Sequence, residues 1–185
     1  MSRRKIMVTI APGSNFQGKE ANPAIPYTPE EMAQQTYDAY NAGASIVHFH
    51  CRDEDGIPTN ELDVIQANAD AIRSKCKDII LQPSIAPANR PDRINTADDG
   101  LTALEVGAEM ISLDCGPSII PSPCPDQEGP ERIIKWTRKW LVDTAKKAKE
   151  RNIKTELEIF NHSQLEDAIN FLIKPGLVIG VPTFT

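Results

Sequence analysis

The feature that most constrains this chain is its rhythm: short, β-branched apolar runs alternate with longer amphipathic stretches along nearly its whole length. Parallel strands need long crossover connections, usually helical, so this alternation predicts βα units around a parallel sheet. The strand-like runs fall at 5–11, 45–51, 78–84, 109–114, 154–160 and 177–181. The helical patterns fall between them, at about 28–43, 60–75, 96–106, 130–151 and 163–174. In T-P-E-E, Thr28 serves as N-cap, Pro29 takes the first helical position, and Glu31 completes a capping box. Gly43 and Gly107 sit where helices need a left-handed cap.

Strict βα alternation leaves two architectures, a doubly wound open sheet and a (β/α)8 barrel. The strand ends decide between them. Asn15, His50, Ser84, Asp114, Glu158 and Pro182 lie at or just past successive strands. An open sheet needs such residues only beside its switch point, whereas a barrel gathers all of them around one axis. The expectation is α/β, a single TIM-type barrel domain over residues 1–185. A complete barrel has eight strands and roughly 250 residues. About six βα units are present, so the domain is expected to be truncated on its C-terminal side. The edges left unpaired at the first and sixth strands then predict a homo-oligomer. The Pro- and Ser-rich stretch 115–129 is too long for a plain connection and is expected to form a lid or a pocket wall.

Composition narrows the function classes. The 185 residues carry a net charge of −6 and are 40% hydrophobic, enough for one substantial core. No apolar run approaches the roughly 18 residues that cross a bilayer, and M-S-R-R-K leads into a strand rather than a signal core. The expected location is the cytoplasm, with no membrane partner. Basic residues are scattered among acids, which argues against nucleic acid. Cys51, Cys76, Cys115 and Cys124 lack C-x-x-C spacing and are read as reduced thiols in the core. The charged stretch 146–151 reads as the solvated end of a helix, and no Gly-rich phosphate fingerprint occurs.

The chemistry centres on His48-Phe49-His50. Two residues apart on a strand, both imidazoles share one face, and on the inside of a barrel they converge. Neutral imidazoles suit Zn²⁺, and a catalytic zinc commonly takes three protein ligands plus an open position. The alternative is a pair hydrogen-bonded within a packed interior. Arg52 and Asp53 either hold the strand end, supply a carboxylate that hydrogen-bonds a ligand histidine from behind, or form a solvated turn. Glu156 and Glu158 share a face, with Glu158 nearer the C-terminal end and the better candidate to meet substrate. Glu156 is expected to pair with an Arg or Lys deeper in the barrel. Ser84 and Ser112 are placed to donate to a substrate carboxylate or to cap the following loop. Asp114 is a further ligand, a base or a turn residue.

The stretches I-P-Y-T-P-E-E-M-A (25–33), A-G-A-S-I-V-H-F-H-C-R-D-E-D-G-I-P-T (42–59), A-E-M-I-S-L-D-C-G (108–116) and T-E-L-E-I-F (155–160) resemble the β-keto acid cleavage enzymes, typified by the 3-keto-5-aminohexanoate cleavage enzyme. The resemblance implies a zinc-binding (β/α)8 barrel that exchanges acyl groups between a β-keto acid and acetyl-CoA, giving acetoacetate and a new acyl-CoA by retro-Claisen cleavage. It places zinc on His48 and His50, substrate at Ser84 and Ser112, and an acidic active-site residue at Glu158. Asn15 stands where the amino-substrate member carries a Glu, so a substrate-binding role there implies a neutral or polar β-keto acid rather than a cationic one. The family's third zinc ligand, a Glu, and its catalytic Arg and Asp lie on the seventh and eighth units, so the 185-residue chain is expected to be nearly inactive alone. Competing readings are a metal-dependent hydrolase of TIM-barrel type, in which the same pair activates water, and a non-catalytic remnant.

Overall fold

The protein's structure is a computed structural model describing residues 6–124 and 129–185. Its central strands are β1 (Thr9–Ile10), β2 (Ile46–Phe49), β3 (Ile80–Pro83), β4 (Met110–Asp114), β5 (Lys154–Glu158) and β6 (Thr183–Phe184). They run parallel and neighbour one another in chain order, β1-β2-β3 in one sheet and β4-β5-β6 in a second. A parallel bridge between Ser84 and Ser112 joins the two sheets. The order never reverses among the described residues, so there is no switch point of the doubly wound kind.

Helices α1 (Pro29–Asn41), α2 (Leu62–Lys75), α3 (Arg138–Glu150) and α4 (His162–Asp167) fill the crossovers. The capping box of α1 is formed: the Thr28 hydroxyl accepts from the Glu31 N–H, and the Glu31 carboxylate accepts from the Thr28 N–H. Strands β2, β4 and β5 show the same division of faces. Val47 and Phe49 of β2 pack with Ile65, Ala69 and Ile72 of α2. Ile111, Leu113 and Leu157 pack with Leu141 and Ala145 of α3 and with Leu172. Each buried Leu, Ile or Phe of this outer layer contributes about 1.5–3 kcal/mol relative to an exposed one. The opposite faces carry His48, Gln82, Ser112, Asp114, Glu156 and Glu158, a polar layer with apolar cover behind it.

Several sequence expectations are corrected. Strand 1 is confined to Thr9–Ile10, and Lys5 lies outside the described residues. The expected helix 130–151 begins only at Arg138, where Thr137 Oγ1 accepts from Trp140 N at 3.2 Å. Before it, Glu131–Ile134 pairs antiparallel with Ser118–Pro121. The burial of Arg132 and Ile134 against exposure of Glu131 and Ile133 has a period of two, as a strand requires. This hairpin is the ordered wall that the 115–129 stretch suggested, residues 125–128 of which lie outside the described residues. The 96–106 segment forms a 3₁₀ helix, Asp99–Glu105. After α4 the chain continues through a π turn, Ala168–Ile173. The sixth strand lies beyond 177–181, at Thr183–Phe184, because that segment is used in turning. Leu177 N–H bonds Leu172 O at 2.9 Å, and Gly176 and Gly180 take positive φ. All four cysteines are free and buried. Among the described residues no helix is long and apolar enough to cross a membrane.

Candidate active site

The C-terminal ends of β2 to β5, with the loops after β1 and β3, surround a cavity of about 610 Å³. His48, His50, Ser84, Asp114 and Glu158 line it together with Asn15. Four aromatic or aliphatic walls, Phe16, Ile119, Trp136 and Phe160, close its outer part.

His48 and His50 turn their Nε2 atoms toward each other at 3.3 Å, with rings 80° apart. Two nitrogens each about 2.0–2.1 Å from a tetrahedral zinc are separated by roughly 3.3 Å, so the pair has the spacing of two ligands of one ion. Burial holds both imidazoles neutral. His50 is pushed down to about 3 by desolvation, with His48 and Arg52 adding to the effect. His48 is lowered by burial too, against the opposing pull of the Glu156 carboxylate and the Gln82 amide. Neutral imidazoles are the form that binds metal. Among the described residues no group of three or more His, Cys, Asp and Glu side chains converges as a metal site.

The loop after β1 is held against His50. A Cβ on Gly13 would stand 2.7 Å from the His50 carbonyl oxygen, so only glycine lets that backbone approach. Arg52, buried, ties the same loop down by donating to the carbonyls of Ser14 and Gln17, and it also donates to Gly56 O in the turn after its own strand. Asp53 accepts from the N–H groups of Asp55 and Ile57 and pairs with Arg90 at 2.9 Å. Arg52 and Asp53 thus hold the strand end, and the reading of Asp53 as a carboxylate behind a histidine is corrected. Glu156 is corrected as well: its partner is the Gln82 amide, donating Nε2 to Oε2 at 2.9 Å, rather than an Arg or Lys. Gln82 is a functional candidate that sequence reasoning missed. Its signal was a lone polar residue inside the apolar run I-I-L-Q-P.

Asp114 and Glu158 are register partners on β4 and β5. Burial and the neighbouring Glu158 raise Asp114 to about 8, so it holds its proton at neutral pH. Glu158 is raised by burial and by Glu156, with the Ser112 hydroxyl offsetting part of this. Ser112 is buried beside Glu158, and Ser84 Oγ accepts from Ala86 N at 3.1 Å at the cavity edge. Asn15 is buried and spans the loop after β3, donating to Pro87 O at 3.0 Å and accepting from Asn89 N at 2.9 Å.

A family model described as beta-keto acid cleavage enzyme matches residues 5–185. A 3-keto-5-aminohexanoate cleavage enzyme of Fusobacterium nucleatum is 36% identical over 90% of this chain and 57% of its own length. One of the same name from Acetoanaerobium sticklandii is 34% identical over 93% of this chain and 58% of its own. The chain thus spans about half the length of the curated relatives it matches. Among solved structures, the apo form of ObcA superposes with a TM-score of 0.65 at 21% identity, over 88% of this chain and 36% of that one, a likeness of fold.

Proposed function

The chain belongs to the β-keto acid cleavage enzyme family, and from that premise we propose that it forms the first six βα units of a TIM-type (β/α)8 barrel catalysing zinc-dependent retro-Claisen acyl exchange. In this reaction R–CO–CH₂–COO⁻ and acetyl-CoA give acetoacetate and R–CO–SCoA. The carbon–carbon bond to the acyl group breaks, an acetyl group takes its place, and the acyl group leaves on the CoA sulfur. The observation that carries the reading is the 3.3 Å approach of the His48 and His50 Nε2 atoms inside a cavity at the strand ends.

His48 and His50 would hold the zinc. Zinc held there would supply Lewis acidity toward the keto oxygen of the substrate. Ser84, its oxygen already accepting from Ala86 N–H, has its own proton free to donate to the substrate carboxylate. Glu158 is the acid–base residue, kept ready to take a proton by its raised affinity for one, and Ser112 orients it. Asp114, protonated at neutral pH, donates a hydrogen bond rather than presenting a charge. Asn15 shapes the entrance and offers no carboxylate to an ammonium group. A neutral or polar β-keto acid fits this lining. We further propose that the protein works in the cytoplasm as a homo-oligomer.

The test is acetoacetate formation from acetyl-CoA and a panel of neutral β-keto acids, using the chain extended by the two remaining βα units of the Fusobacterium nucleatum relative. Turnover abolished by His50→Ala supports the reading. A folded, zinc-loaded extended chain that forms no acetoacetate with any member of the panel overturns it, and hydrolysis of an amide or ester by that chain would put a water-activating enzyme in its place.

A further inference from the structure

The polar layer beneath the cavity contains a side chain that the reaction does not use directly. Gln82 is completely buried on β3, and its register partner on β2 is His48. Its Nε2 donates to the Glu156 carboxylate at 2.9 Å. Its Oε1 has no hydrogen-bond partner among the described residues. A buried amide oxygen left in this state costs about 1–3 kcal/mol, which calls for a donor nearby. The amide's orientation is fixed by its other end. Turned over, it would set its oxygen against the Glu156 carboxylate, two acceptors face to face.

The donor at hand on the partner strand is the His48 ring, the side chain with which the Gln82 amide interacts. Its Nε2 is directed at His50, which leaves Nδ1 as the ring nitrogen free to point elsewhere. We infer that Gln82 is a positioning residue for the metal centre: its Oε1 accepts from His48 Nδ1–H, fixing the tautomer in which Nε2 offers a lone pair to the ion, while Glu156 fixes Gln82. Ligand histidines commonly donate their second N–H to a carboxylate or carbonyl that sets ring orientation and raises basicity. Here an amide does this directly, with the carboxylate one step behind it. A carboxylate in direct contact would add negative charge to a cavity already holding Asp114 and Glu158, whereas the amide transmits polarity without charge.

This inference rests on His48 being a zinc ligand, and its test separates the two claims. ¹⁵N-histidine NMR of the metal-free protein should show His48 as the Nδ1–H tautomer. Gln82→Met, close in volume and lacking an acceptor, should give a mixture of tautomers and weaken zinc binding ten- to a hundredfold, with melting still cooperative. Gln82→Glu, which keeps an acceptor oxygen, should retain the Nδ1–H tautomer. A merely structural role would lower the melting temperature and leave the tautomer alone. If His48 is the Nε2–H tautomer in the wild type, or if Gln82→Met changes neither tautomer nor affinity, the inference is overturned. Should Gln82→Met fail to fold, loss of the Nδ1–H tautomer in Gln82→Glu overturns it instead. Zinc binding unaffected by His48→Ala would defeat the metal reading, and the tautomer measurement would still decide the role of Gln82.

Discussion

Asp114 and Glu158 face each other as direct register partners on adjacent parallel strands, two carboxyl groups sharing one wall of a cavity. Burial disfavours ionisation of both, with Glu158 further opposing the charge on Asp114 and Glu156 further opposing that on Glu158. The sign for stability follows. A carboxyl whose folded pKa is raised binds its proton more tightly than the unfolded chain does, so stability falls as pH rises from about 4 toward the folded value near 8. Each pH unit in that window costs up to about 1.4 kcal/mol through Asp114. Asp114→Asn should therefore melt higher than the wild type at pH 8 and show a smaller advantage at pH 4. Equal melting temperatures at both would show that Asp114 is ionised without strain.

The histidines give the opposite slope. His50, held down to about 3, and His48, also lowered by burial, stay neutral while an unfolded imidazole takes up a proton below about 6.5. Metal-free protein should lose stability as pH falls from 6.5 toward 3, by up to about 1.4 kcal/mol per pH unit for each histidine. His50→Gln should flatten part of that fall in chemical denaturation. An unchanged slope in this variant would place the acid lability elsewhere.

Gly13 tests how rigidly the β1 loop is fixed against the metal pair. Gly13→Ala puts a methyl group where the His50 carbonyl already stands, and the backbone on one side must move. Overpacking of this kind costs about 1–3 kcal/mol. Thermal melting should register that loss, together with weaker zinc binding. Wild-type values for both would mean the loop is free to shift.

Asn15 separates a structural role from a substrate role. Asn15→Asp keeps the acceptor for Asn89 N–H and replaces the donor to Pro87 O with a second acceptor. Losing a buried donor in this way costs about 1–3 kcal/mol. The variant should be destabilised by that amount and gain no turnover on β-keto acids bearing an ammonium group. Gain of such turnover would mean the side chain leaves the loop and reaches the substrate.

How far the sequence anticipates this structure depends on which residues carry the signal. The βα rhythm, the Thr28 capping box and the same-face spacing of His48 and His50 are local patterns, and each is formed as read. The hairpin of Ser118–Pro121 with Glu131–Ile134 was obscured because its second strand runs directly into α3 and borrows the look of a longer helix. The sixth strand was displaced because Leu177 and Val178 are apolar for packing rather than for strand formation. Gln82 and the pairing of Asp114 with Glu158 depend on which strands become neighbours, a relation between residues 44 to 74 positions apart that no local window contains.

Whether His48 and His50 hold a zinc ion in the cavity is decided by competition titration of the purified 185-residue protein with a zinc chelator. Wild type should bind about one zinc per chain, and His48→Ala and His50→Ala should each lose it while remaining folded. Wild-type zinc content and affinity in both variants would contradict it.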